Sequence, residues 1–123
     1  VSQIYYHALN RTAEVEMLPA CAHFGVGTLA YSPLARGVLT GKYARGVTPA
    51  DSRASAGDKR LLETEFHPAN LEAGDTLRTH AEDRGVALGA MAAAWVLANP
   101  LMAGIVAGPR TFEQWTSYLA ALD

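Results

Sequence analysis

Apolar and polar positions along the chain change period several times. Val1 to Tyr6 is a short run rich in β-branched and aromatic side chains and reads as a strand. A polar break at Asn10-Arg11-Thr12 precedes a helix predicted over about 14–24, with Met17, Leu18 and Cys21 as its apolar stripe. Pro19 is tolerated near its first turn and Gly25 is a plausible stop. Val26 to Tyr31 is the second predicted strand. Residues 44–69 form a long polar connection bearing Gly, Pro and Ser, of a length that in a compact domain is usually functional or mobile. Asn70 is placed to cap a helix over about 71–83 that Gly85 ends. Leu88, Met91, Ala92, Trp95 and Val96 recur at helical spacing in the next helix, about 87–98, which stops before Pro100. Leu101 to Ala107 is a third strand. Thr111-Phe112-Glu113-Gln114 then has the form of a capping box for a last helix with Phe112, Trp115, Leu119 and Leu122 apolar.

Strand, loop and helix thus recur three times, the pattern of an α/β protein with parallel strands. In such proteins ligands gather at the carboxyl ends of strands, among loops and helix N-termini. Two loops stand at those places. The second strand opens into Ser32-Pro33-Leu34-Ala35-Arg36-Gly37 and then Gly41-Lys42. Glycines let backbone approach a ligand, Ser32 and backbone N–H groups can bond phosphate oxygens, and Arg36 and Lys42 add charge. Ser-Pro and two glycines are equally at home in an ordinary turn. The third strand opens into Gly108-Pro109-Arg110 ahead of a capped helix, either a strand-to-helix anion site or a tight turn with a solvated arginine. A ligand with two separated phosphate groups would suit both loops.

Composition narrows the field. The 123 residues fit one domain, half of them hydrophobic, with a net charge of -2, so no global basic field attracts nucleic acid and any anion site is local. Cys21 stands alone and cannot form an internal disulfide, which makes a reducing cytoplasm the expected location. No apolar run approaches the roughly 18 to 20 residues of a membrane span, and the opening VSQIYYHALN lacks the head and apolar stretch of a signal peptide. His7, His23, His67 and His80 sit in no motif and are expected to be structural or solvent-facing, Tyr5 and Tyr6 to be packing residues, and Asp51 and Asp58 to be solvated; no metal site is indicated.

Along essentially its whole length the chain resembles the C-terminal part of an aldo-keto reductase. The resemblance rests on QIYYHALNR, LAYSPLARGVLTGKY, DSRAS, the AWVLANP helix and GPRTFEQW. It implies part of a (β/α)8 barrel that binds NADP(H) without a Rossmann motif, in keeping with the lack of a G-x-G-x-x-G. By that resemblance residues 1–123 correspond to strands six to eight of a single barrel domain. The chain then needs the N-terminal part of the barrel, in the same or another chain, because a complete barrel takes about 250 residues.

The resemblance also implies roles. Gln3 would bond the nicotinamide carboxamide, and Tyr31 would stack on the nicotinamide ring. Ser32, Pro33, Leu34, Ala35, Arg36 and Gly37 would form the loop along the pyrophosphate. Lys42 and Arg53 match basic positions of a long loop that closes over the cofactor. Gly108 and Arg110 would meet the adenosine 2′-phosphate, favouring NADP over NAD. Gln114 and Tyr118 match positions near the adenine; Tyr118 replaces a common asparagine, and its ring could stack there instead. His7 would lie near the barrel mouth.

The family's catalytic Asp, Tyr, Lys and His belong to earlier strands and have no counterpart here. The implied activity of the intact protein is NADPH-dependent reduction of a small aldehyde or ketone, with this chain supplying most of the cofactor site. The alternatives are a non-catalytic NADP-binding regulatory subunit of the same fold and an inactive half-barrel fragment.

Overall fold

Strands β1 (Ser2–Tyr5), β2 (Thr28–Tyr31) and β3 (Gly104–Val106) run parallel in the order β1-β2-β3 in the computed structural model, which describes residues 1–43 and 46–122. Among the described residues five α-helices accompany them: α1 (Met17–His23), α2 (Lys59–Thr64), α3 (Pro68–Glu82), α4 (Leu88–Leu97) and α5 (Phe112–Leu119). An open parallel sheet with helices in the connections is the architecture of a partial α/β barrel. The chain divides into two compact units, one of Val1–Pro33 with Ala90–Asp123, the other of Leu34–Gly89.

The first unit holds the sheet. Side chains alternate across a strand, so Ile4 and Tyr6 turn to one face while Gln3 and Tyr5 turn to the other. Ile4 and Tyr6 join Ala13, Leu18, Ala30, Val96 and Met102 in one buried cluster, with Cys21, Trp95 and Ile105 packed against it. Tyr6 carries the cluster's polar contact. Its ring stacks on Trp95 at 5.3 Å, its hydroxyl donates to Glu14 Oε1 at 2.6 Å, and Asn99 Nδ2 donates to that same hydroxyl at 3.0 Å. Arg11 closes the group, donating through Nε and Nη2 to the two Glu14 oxygens at 2.9 and 2.8 Å. Burial and the Glu14 bond push the Tyr6 hydroxyl pKa up, while the bonds from Arg11 and Tyr6 hold the Glu14 carboxyl below the usual carboxylate range.

In the second unit Leu39, Leu61 and Ala81 are fully buried, and Tyr43 meets Phe66 edge-on at 5.1 Å. Gly74 of α3 lies against the 3₁₀ turn Ala35–Thr40, where an added Cβ would stand 3.4 Å from Val38 Cγ1.

Several boundaries differ from the periodicity. The helix expected over 14–24 is a 3₁₀ turn at Thr12–Glu14 followed by α1, with Pro19 in its first turn and Gly25 turning left-handed at φ 64° to end it. The connection 44–69, whose first two residues Ala44 and Arg45 lie outside the described residues, is not one loop. It contains α2, and Asp58 is that helix's cap rather than a solvated loop carboxylate: its Oδ1 accepts from the Leu61 backbone N–H at 3.0 Å. Asn70, by contrast, is not a cap. Pro68 fixes the helical φ at the first position of α3, so that helix starts earlier, after extended His67. Asn70 Nδ2 instead donates to buried Glu65 Oε2 at 3.0 Å.

Candidate functional site

The parallel register decides what meets at the strands' carboxyl ends. Gln3 pairs with Leu29, and Tyr5 with Tyr31, which in turn pairs with Val106. Tyr31 is the last residue of β2 and remains 37% exposed. The rings of Tyr5 and Tyr31 lie 5.1 Å apart at 31°, and the edge of Tyr5 meets the buried His7 ring at 5.0 Å. Gln3, exposed and two residues before Tyr5, shares its face. A cleft of about 660 Å³ takes in Gln3, Tyr5 and Tyr31 together with Thr12, Glu16, Met17 and Cys21. Because Gln3, Ile4 and Tyr5 all line it, the cleft wraps the open edge of β1.

Directly after Tyr31 the backbone becomes left-handed. Ser32 has φ 55°, and Pro33 behind it is buried. Further along, Ala35 and Arg36 have φ 47° and 53°, and Gly37 has φ 105°. A left-handed residue that is not glycine costs about 1 to 2 kcal/mol, and three of them stand within five positions. The turn is held by bonds from Gly37 N–H and Leu39 N–H to the Leu34 carbonyl at 2.9 and 3.1 Å, and from Thr40 Oγ1 to the Gly37 carbonyl at 2.8 Å. Leu34, at φ -99° and ψ 24°, precedes the left-handed Ala35. That succession turns neighbouring N–H groups toward one side, the geometry of an anion-binding nest.

Basic side chains of the second unit gather around this turn and Asp58. A Cβ on Gly37 would approach Lys42 Cε at 2.9 Å, so glycine leaves room for the lysine chain, whose Nζ lies 5.2 Å from the Tyr43 ring centre. Arg53 Nη1 lies 3.9 Å from Asp58 Oδ2. The Leu61 N–H bond first, and then the charges of Arg53 and Arg36, hold the Asp58 carboxyl below its ordinary pKa. Arg36 and Arg53 thus both carry positive charge felt at Asp58.

After β3 the chain passes exposed Gly108 and Arg110 into α5. Thr111 Oγ1 caps the helix, accepting from Gln114 N–H at 3.4 Å. The reciprocal half of the capping box is displaced by one residue: Gln114 Oε1 accepts from the Arg110 backbone N–H at 2.8 Å. Tyr118, one turn on from Gln114, meets Trp115 edge-on at 6.3 Å. A Cβ at Gly108 would meet nothing within 4 Å, and its φ is not left-handed. Gly108→Ala is therefore expected to leave the thermal midpoint within about 2 °C, as calorimetry would read.

The structure brings Gln3 and Tyr31 into one cleft, sets Leu34, Ala35, Arg36, Gly37, Lys42 and Arg53 in or near the strained turn, and places Gly108, Arg110, Gln114 and Tyr118 on the loop and helix after β3. Sequence reasoning missed two members. Tyr5 was legible as sharing a face with Gln3, two residues earlier. Asp58 carried the signature of a helix cap, three residues before Leu61. The first unit thus offers a half-exposed aromatic ring and a glycine with open space before a helix N-terminus, and the second a left-handed turn beside basic side chains. Among the described residues there is no group of three or more His, Cys, Asp or Glu side chains that could hold a metal ion, and no helix is long and apolar enough to cross a membrane.

A parallel sheet with helices in its connections is the class of a partial α/β barrel. The aldo/keto reductase family model matches residues 1–123, and the chain belongs to the aldo/keto reductase family. A probable voltage-gated potassium channel subunit beta of Oryza sativa subsp. japonica is 38% identical over 125 residues, covering 100% of this chain and 38% of the relative. The uncharacterized oxidoreductase YrpG of Bacillus subtilis is 39% identical over 118 residues, 96% of this chain and 34% of that protein. An L-glyceraldehyde 3-phosphate reductase of Escherichia coli is 32% identical over 127 residues, 100% of this chain and 36% of that protein. The chain spans little more than a third of the length of these relatives.

Proposed function

We propose that this chain is the cofactor-binding part of an NADPH-dependent oxidoreductase that reduces a small aldehyde or ketone to an alcohol, the remaining strands of its barrel coming from the same or another chain. The observation that carries the reading is the succession at the end of β2: half-exposed Tyr31, then a turn with Ser32, Ala35 and Arg36 all left-handed. Strain of this kind persists where a binding function needs it. Bound NADPH would supply the hydride. The work of this chain is to hold it: Gln3 toward the nicotinamide amide, Tyr31 against the ring, and Ser32 to Gly37 along the pyrophosphate. Lys42 and Arg53 would lie over that bridge, Gly108 and Arg110 at the 2′-phosphate, and Gln114 and Tyr118 at the adenine. The proton for the product alkoxide would come from a residue outside this chain.

Titrating the protein, with its complete barrel, against NADPH and NADH tests the reading. Micromolar NADPH affinity with weaker NADH binding is expected; absence of binding by either overturns it. A second reading, a non-catalytic NADP-binding regulatory subunit, is favoured by the 38% identity to a probable channel beta subunit. Tight NADPH binding without turnover of any aldehyde or ketone would decide for it.

A further inference from the structure

We infer that Tyr5 is a positioning residue for Tyr31, holding the ring against which the nicotinamide would lie; the inference rests on the cofactor reading above. Three rings form a ladder across the carboxyl ends of β1 and β2. Its foot is His7, fully buried and fixed in place. Its backbone exchanges two bonds with Asn10, at 3.3 and 2.9 Å, and its Nδ1 accepts from the Leu9 N–H at 3.2 Å. That last bond sets the imidazole's orientation, and the edge contact at 85° passes it to Tyr5. Tyr5 in turn lies beside Tyr31, its directly opposed partner in the parallel register.

Tyr31 needs such support. It ends β2, and the residue after it is left-handed, so the chain beyond it supplies no further strand to pack its side chain. With Tyr5 on one side, Tyr31 keeps 37% of its surface exposed, enough for a second flat group to lie on its open side. An aromatic side chain has two torsions to fix, and a ring that rotates freely loses stacking affinity when it must be ordered on binding. A ladder anchored at His7 does that ordering before the ligand arrives.

The test compares Tyr5→Ala, Tyr5→Leu and Tyr5→Phe with Tyr31→Ala, all in the protein with its complete barrel. The probes are NADPH and adenosine 2′,5′-bisphosphate, which has phosphates and adenine but no nicotinamide. Tyr5→Ala is expected to weaken NADPH about two- to ten-fold, the range an aromatic pair contributes, and to leave bisphosphate affinity unchanged. Tyr5→Leu, which keeps most of the volume, is expected to do the same should the alanine variant fail to fold, and Tyr5→Phe to restore wild-type NADPH affinity. Equal losses for both probes would show a structural role only and overturn the inference. So would unchanged NADPH affinity in both Tyr5→Ala and Tyr5→Leu while Tyr31→Ala weakens it, an outcome that leaves the cofactor reading standing. Unchanged NADPH affinity in Tyr31→Ala would remove Tyr31 from the nicotinamide and overturn the inference, whereas the cofactor reading itself falls only if the protein binds neither NADPH nor NADH.

Discussion

Replacing Arg110 by alanine is expected to raise the dissociation constant for NADPH by about 10- to 150-fold, the weight of a charge-assisted bond to phosphate, and to change that for NADH less than twofold. The two cofactors differ only in the adenosine 2′-phosphate. Arg110 is exposed, follows Gly108 and Pro109 directly out of β3, and stands at the N-terminus of α5, where helix-end N–H groups add to its charge. The contact that Arg110 makes inside the protein uses its backbone: its N–H donates to Gln114 Oε1. Alanine keeps that N–H, so the helix cap survives and the change isolates the guanidinium. Arg110→Lys should recover only part of the loss, because an ammonium cannot grip a phosphate with two parallel bonds. Equal losses for NADPH and NADH would remove Arg110 from the 2′-phosphate.

How much of this could be read from residues alone differs element by element. The three strands were legible because each is a short apolar or β-branched run between breaks, although the ends of the second and third shorten to Thr28–Tyr31 and Gly104–Val106. The helix ending before Pro100 was legible from Leu88, Met91, Ala92, Trp95 and Val96 at helical spacing. The short helix KRLLET was not, because in six residues it buries only Leu61 and offers no stripe to recognise. Its signal was the cap, Asp58, in a stretch whose Gly and Ser content suggested continuous loop.

The site divides the same way. Gly37, Gly41 and Gly108 announce places where backbone must turn or be approached. Ser32, Ala35 and Arg36 announce nothing of the kind, since none is glycine, yet all three are left-handed. Ala35 and Arg36 lie inside the turn that the Gly37 and Leu39 N–H bonds close on the Leu34 carbonyl, a constraint local propensity does not encode. The meeting of Tyr5 with Tyr31 was equally hidden, because one strand's pattern shows which face a residue takes but not its opposite number in the next strand.

The largest effect on stability is expected at Tyr6. Removing a buried aromatic ring costs about 3 to 5 kcal/mol, against a total for a domain of about 5 to 15 kcal/mol. Tyr6 is 1% exposed, stacked on Trp95, and its hydroxyl ties Glu14 to Asn99. Those two residues come from opposite ends of the chain, so the ring and its hydroxyl bind the start of the sheet unit to the segment after α4. Tyr6→Ala should therefore bring the urea midpoint close to zero denaturant, with the emission of partly buried Trp95 shifting to the red. Tyr6→Phe keeps the ring and loses two bonds. It should cost only about 1 kcal/mol, because Glu14 retains Arg11 and solvent. A similar loss in both variants would assign the stabilisation to the hydroxyl network rather than the ring. Tyr6 also separates Tyr5 from His7 in the chain while facing the opposite side of the strand. Tyr6→Phe should thus leave NADPH affinity at its wild-type value, since Tyr5, which meets Tyr31, and His7 behind it keep their backbone.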